Sequence, residues 1–164
     1  MRFATRLMGL VCLSLLALPA IAATTATPVG TWNQVDDSTG KITSVIQITE
    51  TNHQLYGTVL KVMNMSPEQI ARDGNPPICT QCSDQRHNQP IEGMVIMWGL
   101  HADGDQWDGG HVLDPTSGKI YKVKLTLVDG GAKLKVRGYM GFSWLGRTQV
   151  WQRVKPAAAP ASTN

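Results

Sequence analysis

Cys79 and Cys82, in Cys79-Thr80-Gln81-Cys82, are the residues whose type and spacing most directly offer chemistry. Two thiols at this spacing can close a disulfide, act as a redox couple or supply half of a zinc site. Zinc needs two more ligands, and the nearest candidate, His87, stands without a second cysteine pair or a paired histidine. A thioredoxin-type couple wants its pair at the start of a helix in a βαβ setting, which the flanking residues do not offer. A structural disulfide that pins a long loop over one end of the fold is therefore the expectation. His53, His87, His101 and His111 lack the i, i+4 pairing of helical metal ligands. Asp103, Asp105 and Asp108 around Gly104 lack the spacing and terminal Glu of a calcium loop. No nucleophile elbow, phosphate-cradling loop or dinucleotide fingerprint occurs. These residues lead us to expect no catalytic residues, no metal and no cofactor, in a protein that is not an enzyme.

Binding chemistry is better represented. Trp32, Trp98, Trp107, Trp144 and Trp151 could wall a small-molecule site, although a small domain also uses tryptophan as core filler. Trp144 sits in Gly141-Phe142-Ser143-Trp144-Leu145-Gly146, an apolar turn suited to touching a lipid or a partner at a rim. Charge is uneven: residues 23–118 hold 4 basic and 11 acidic side chains, whereas residues 119–164 hold 9 and 1. The late excess includes Lys122, Lys124, Lys133, Lys135 and Arg137, which alternate onto one strand face. Such a stripe is usually a solvated face; its functional reading is attraction of anionic headgroups or an acidic partner.

The elements that must position these residues begin after a leader. Arg2 and Arg6 precede an apolar run at 7–18, Pro19 follows, and Ala20-Ile21-Ala22 has the small-x-small pattern of a cleavage site. Residues 1–22 are read as a cleaved signal peptide, 23–27 as a flexible N-terminus, 28–154 as the folded domain and 155–164 as a disordered tail. The run is short for a membrane span and no second one follows. Leu10 and Val11 before Cys12 do not suit a lipoprotein signal. Without the leader's two arginines the net charge of +3 falls to +1, which gives no case for nucleic-acid binding, and two cysteines remain for an oxidising compartment.

Eight stretches rich in β-branched and aromatic residues, at 29–33, 41–49, 54–63, 94–99, 107–113, 119–127, 133–139 and 147–153, are punctuated by turn residues. Alternation places Ile42, Ser44, Ile46 and Ile48 on one face of the second, Val123, Leu125 and Leu127 on one face of the sixth, and Leu134, Val136 and Met140 together after it. Short sequential connections predict an all-β, eight-stranded antiparallel up-and-down barrel, which leaves no exposed edge. A β-sandwich is the alternative, with longer crossovers than this chain provides. The exception is the long segment 64–92, which carries both cysteines and a helical turn at 66–72, where Ser66 can cap and Pro67 fits the first position.

Gly30-Thr31-Trp32 with a final-strand arginine, Arg153 or Arg147, resembles the lipocalin and calycin pattern. The ordered set Leu55-Tyr56-Gly57, Cys79-Thr80-Gln81-Cys82, Pro90-Ile91-Glu92-Gly93, Leu113-Asp114-Pro115, Gly118-Lys119-Ile120-Tyr121, Leu134 to Tyr139 and Gly146 to Arg153 resembles domain-of-unknown-function family 2147, small secreted proteins of Gram-negative bacteria. That resemblance implies a lipocalin-like barrel, a periplasmic or secreted location and a ligand-binding role, and supplies no catalytic residues. Gly30, Trp32, Trp151 and Arg153 are then the structural barrel closure. The lead functional expectation is a small apolar or amphipathic ligand held by Ile46, Ile48, Leu125, Leu127, Leu134 and Val136. Trp98, Leu125, Val136, Arg137, Tyr139, Trp144 and Arg147 are the candidate ligand-binding residues, with Arg137 or Arg147 facing an acidic headgroup. The alternative is an envelope protein-interaction module that uses the cysteine loop and the Trp144 turn and has no ligand cavity.

Overall fold

The computed structural model of the chain describes residues 26–155. The expected leader and the tail beyond Lys155 lie outside the described residues. Eight strands, β1 (Gly30–Val35), β2 (Ile42–Thr51), β3 (Gln54–Val62), β4 (Val95–Asp103), β5 (Gln106–Asp114), β6 (Lys119–Val128), β7 (Lys133–Tyr139) and β8 (Arg147–Arg153), close into one antiparallel barrel in sequence order. The one α-helix among the described residues, α1 (Pro67–Asp73), lies in the long β3–β4 connection. It starts on a capping box in which the Ser66 hydroxyl accepts from the Gln69 amide and the Gln69 side chain accepts from the Ser66 amide.

Alternation explains the core. Ser44, Ile46 and Ile48 are buried on β2, Val123 and Leu125 on β6, Leu134 and Val136 on β7, and the register pairs Leu125 with Val136 across the strands. Met140 departs from expectation: β7 ends at Tyr139, so Met140 leaves the barrel wall and is 62 % exposed. β4 runs four residues beyond the expected 99, because Gly99, at φ 77°, bends the strand and lets it continue to Asp103. That irregularity also breaks strict alternation, since Met97 and Leu100 are both fully buried and pair with Gly57 and Leu55 of β3.

An up-and-down barrel sorts its connections between two ends. The β1–β2, β3–β4, β5–β6 and β7–β8 connections share one end; the N-terminal approach and the β2–β3, β4–β5 and β6–β7 turns share the other. The second end is shut by Trp32 and Arg153. Trp32 is fully buried, and its indole nitrogen donates to the Pro28 carbonyl at 2.8 Å. The Arg153 guanidinium stacks 4.1 Å from the Trp32 ring centre and donates to the carbonyls of Gly131 (2.7 Å), Val29 (2.9 Å) and Thr27 (2.6 Å). Burial draws the Arg153 pKa below its ordinary value, a desolvation cost that these acceptors and the ring face offset. Gly30 is required here: a Cβ would lie 2.8 Å from the Arg153 Nη1, and its φ of 136° disfavours any side chain. Of the two arginines weighed for this role, Arg153 fills it, and Arg147 lies at the opposite end of β8. Thr27 is among the residues whose carbonyls Arg153 binds.

Replacing Arg153 by Met should cost about 2–4 kcal/mol in urea unfolding, because three carbonyls lose a charged donor. Arg153→Lys should recover little of it, since one ammonium cannot span three acceptors; full recovery by Lys would show that charge alone matters.

Candidate functional site

The barrel interior is layered. Near the Trp32 end, Ile48, Leu55, Leu100 and Leu134 fill it, and Ile46, Met97, Val123 and Leu125 fill the middle; all eight are 0–2 % exposed. Eight strands make a barrel just wide enough for its own side chains to pack in this way. Above this packing the inward positions change character. Gln34 of β1, Ser44 of β2, Val112 of β5, Tyr121 of β6, Gly138 of β7 and Gln149 of β8 occupy the next layer by register. Ser44 is buried, and the other five are half-buried.

This layer is a cup with a polar side and an apolar side. The Ser44 hydroxyl donates to the Gln34 Oε1 at 2.5 Å, the Gln34 amide to the Gln149 Oε1 at 3.0 Å, and the Trp151 indole to that same oxygen at 3.3 Å. The chain of bonds crosses β2, β1 and β8. Opposite it, a Cβ built on Gly138 would lie 3.7 Å from the Tyr121 Cβ and 3.9 Å from a Val112 methyl, ordinary contact distances. Val112, Tyr121 and the bare backbone of Gly138 thus make the apolar wall, and Val136 and Leu125 lie below it.

The candidate ligand-binding residues separate in the structure. Leu125 and Val136 face the interior, and Arg147 stands at the mouth, where it pairs with Asp37 of the β1–β2 turn at 3.3 Å. Trp98, Arg137 and Tyr139 face outward, a correction to their expected place around a ligand in the barrel, because Met97, Val136 and Gly138 take the inward positions beside them. Arg137 donates to the Ser143 carbonyl and the Thr148 hydroxyl, both at 2.7 Å, and so props the β7–β8 turn. Tyr139 donates to Asp108 at 3.3 Å, and Asp108 also pairs with Lys124 at 3.0 Å. Burial and then the Asp108 charge push the Tyr139 hydroxyl pKa up. Trp144 lies in the turn itself, outside the cup. The six cup residues were not among the expected site; their signal was the continuation of the Trp32, Ile46, Val123 and Trp151 alternation toward the open end.

Cys79 and Cys82 form a disulfide, and both are buried. Their loop lies along the flank of the barrel, a correction to its expected place over the mouth. Leu113 faces outward from β5 yet is buried, as are Ile91 and Met94, so the loop covers the outer face of the barrel there with a second apolar layer. Arg86 stacks 4.9 Å from the Trp98 ring centre, and Trp98 stacks on His111 at 5.9 Å. Asp84 chelates the Arg86 guanidinium, which holds the Asp84 carboxyl down at about 2. A surface cleft of about 410 Å³ opens there, lined by Gln85, Arg86, Met94, Val95 and Trp98, and both Arg86 and His111 already stack on its tryptophan. His87 meets the Cys82 carbonyl through Nδ1. Among the described residues no group of three or more His, Cys, Asp or Glu is placed to hold a metal.

The family model described as "Uncharacterized protein conserved in bacteria (DUF2147)" matches residues 30–153. No curated protein matches the chain. Among solved structures, HP1028 from the human pathogen Helicobacter pylori, described as belonging to the lipocalin family, is similar with a TM-score of 0.65 and 19 % identity, over 80 % of this chain and 85 % of that one. At this identity the likeness concerns the fold.

Gly118→Ala should release the cysteine loop, because its Cβ would sit 1.8 Å from the Gln81 carbonyl oxygen. A loss of about 2 kcal/mol or more and faster reduction of the disulfide by dithiothreitol are expected; wild-type reduction kinetics would contradict the packing. Asp73, buried at the end of α1, is held below the ordinary carboxylate pKa by Arg72 and then by the Thr80 hydroxyl, against its burial. A depressed folded pKa means stability that is present above the unfolded value, about 3.9, and lost as pH falls through the lower folded one. The Thr80 amide resonance should therefore shift in acid in wild type and not in Asp73→Asn, and identical profiles would remove Asp73 from the account.

Proposed function

The chain belongs to the DUF2147 family of bacterial proteins, and we propose that it is a lipocalin-like binding protein that takes a small amphipathic molecule into the open half of its barrel. The observation that carries this reading is the half-buried inward layer of Gln34, Val112, Tyr121, Gly138 and Gln149 above a fully packed interior. Gln34 and Gln149 supply amide groups to a polar head, and Val112, Tyr121 and Val136 supply contact to an apolar portion. Depth limits the ligand: Ile46, Ile48, Leu127 and Leu134, once expected to line the site, sit in the middle and closed layers, and Leu125 forms the floor. An apolar portion burying about 150 Å² would gain about 4 kcal/mol before the cost of association. Affinity is therefore modest, and occupancy depends on the supply of ligand.

This reading assigns binding and no catalysis. Export to the periplasm or beyond is part of it, supported by the leader pattern at 1–22 and by a disulfide suited to an oxidising compartment. A second reading, the protein-interaction module, is favoured by the exposed apolar turn at 140–145.

The test is native mass spectrometry of protein recovered from the periplasmic fraction, followed by organic extraction. The reading expects a chain beginning near Ala23 with a released amphipathic adduct. Gly138→Leu should fill the cup, leave the fold intact and abolish the adduct, whereas Trp144→Ala should retain it. An adduct that survives Gly138→Leu, or none after incubation with a fatty-acid series, would refute the site.

A further inference from the structure

We propose that the β7–β8 turn is a docking element for a lipid surface with anionic headgroups. Met140, Phe142, Trp144 and Leu145 are 62–72 % exposed, the largest apolar exposures recorded in the described chain, and they fall within six residues. Phe142 and Trp144 stack at 6.2 Å with their rings 18° apart, so together they present one flat apolar face. The display is built. The Leu145 amide donates to the Phe142 carbonyl at 3.1 Å, closing a short 3₁₀ turn over Ser143–Leu145, and Arg137 braces that turn from below through the Ser143 carbonyl at 2.7 Å. An arginine spent on holding four apolar side chains in water is unexplained by folding, since none of them enters the core.

Charge selects the occupant. Residues 119–155 carry nine basic side chains and one acidic one, Asp129. Acidic partners engage Lys133 (Asp129), Lys124 (Asp108) and Arg147 (Asp37). Lys122, Lys135 and Arg137 stay without a carboxylate partner among the described residues, all on the outer face of β6 and β7 that leads to the turn. Arg137 lies three residues before Met140, about 10 Å along a strand, so cations follow the apolar tip at headgroup distance. Four side chains on one short turn do not by themselves reach the ~800 Å² per partner that a stable protein interface buries. They suit a bilayer boundary, where an aromatic wedge needs only about 5–10 Å of depth and basic residues add attraction to anionic lipid. This surface is independent of whether the cup holds a ligand, and it would bring the open end of the barrel to the lipid.

The experiment is co-sedimentation of the full exported chain with sucrose-loaded vesicles of phosphatidylcholine alone or mixed with phosphatidylglycerol. Binding should appear with phosphatidylglycerol, weaken as salt is raised, and fall roughly tenfold for each of Phe142→Ser and Trp144→Ser. Lys122→Glu with Lys135→Glu should also weaken it, and Trp144→Phe, which keeps the apolar face, should retain it. Circular dichroism establishes that each variant is folded. A wild-type chain that stays in the supernatant at every phosphatidylglycerol content overturns the proposal, including the case in which the turn captures a protein. Equal sedimentation of the two serine variants and wild type overturns it as well.

Discussion

Closure between the first and last strands is the constraint on which the rest of the structure depends. β1 and β8 share two paired positions, Trp32 with Arg153 and Asn33 with Gln152, whereas β6 and β7 share seven. The backbone ladder at this seam is short, the Val154 amide adds a bond to the Thr31 carbonyl, and side chains reinforce it. At one end the Arg153 guanidinium binds three carbonyls and the face of Trp32; at the other, Gln34 reaches across to Gln149. The Gly-x-Trp triplet follows from this: glycine makes room for the guanidinium, and tryptophan supplies the surface beneath it.

The two ways of closing the seam give the two ends different capacities. Where Arg153 and Trp32 close it, apolar side chains fill the interior and leave no place for a guest. Where glutamines close it, the strands carry a small residue at Gly138 and half-buried neighbours, which is where the proposed binding site lies. The disulfide loop stabilises this half from outside. It covers Leu113, and its Gln81 carbonyl rests against Gly118 of the β5–β6 turn.

Strand order was legible in the sequence because most strands alternate and each short turn carries Gly, Asp or Asn. The capped helix after Ser66 was legible from Ser, Pro and Gln at fixed offsets. The site was less so. Trp98 looked like a wall of the lumen, yet the bend at Gly99 lets both Met97 and Leu100 face inward, and period-two reasoning cannot anticipate such a bend. Arg137 looked like a headgroup ligand from its chemistry, while its neighbours Val136 and Gly138 already implied that it pointed out. Burial of Leu113 depends on where a long loop lies, which no local pattern encodes. Gln34 and Gln149 escaped notice because polar residues on an apolar face read as interruptions until the register lines them up with Ser44.

Amide NMR of the folded chain titrated with laurate tests the central claim most directly. The account predicts that shifts concentrate at Gln34, Val112, Tyr121, Gly138 and Gln149 and fade toward Trp32 and Leu134. Shifts centred on Arg86 and Trp98, or confined to Phe142 and Trp144 while the inward layer stays still, would contradict it.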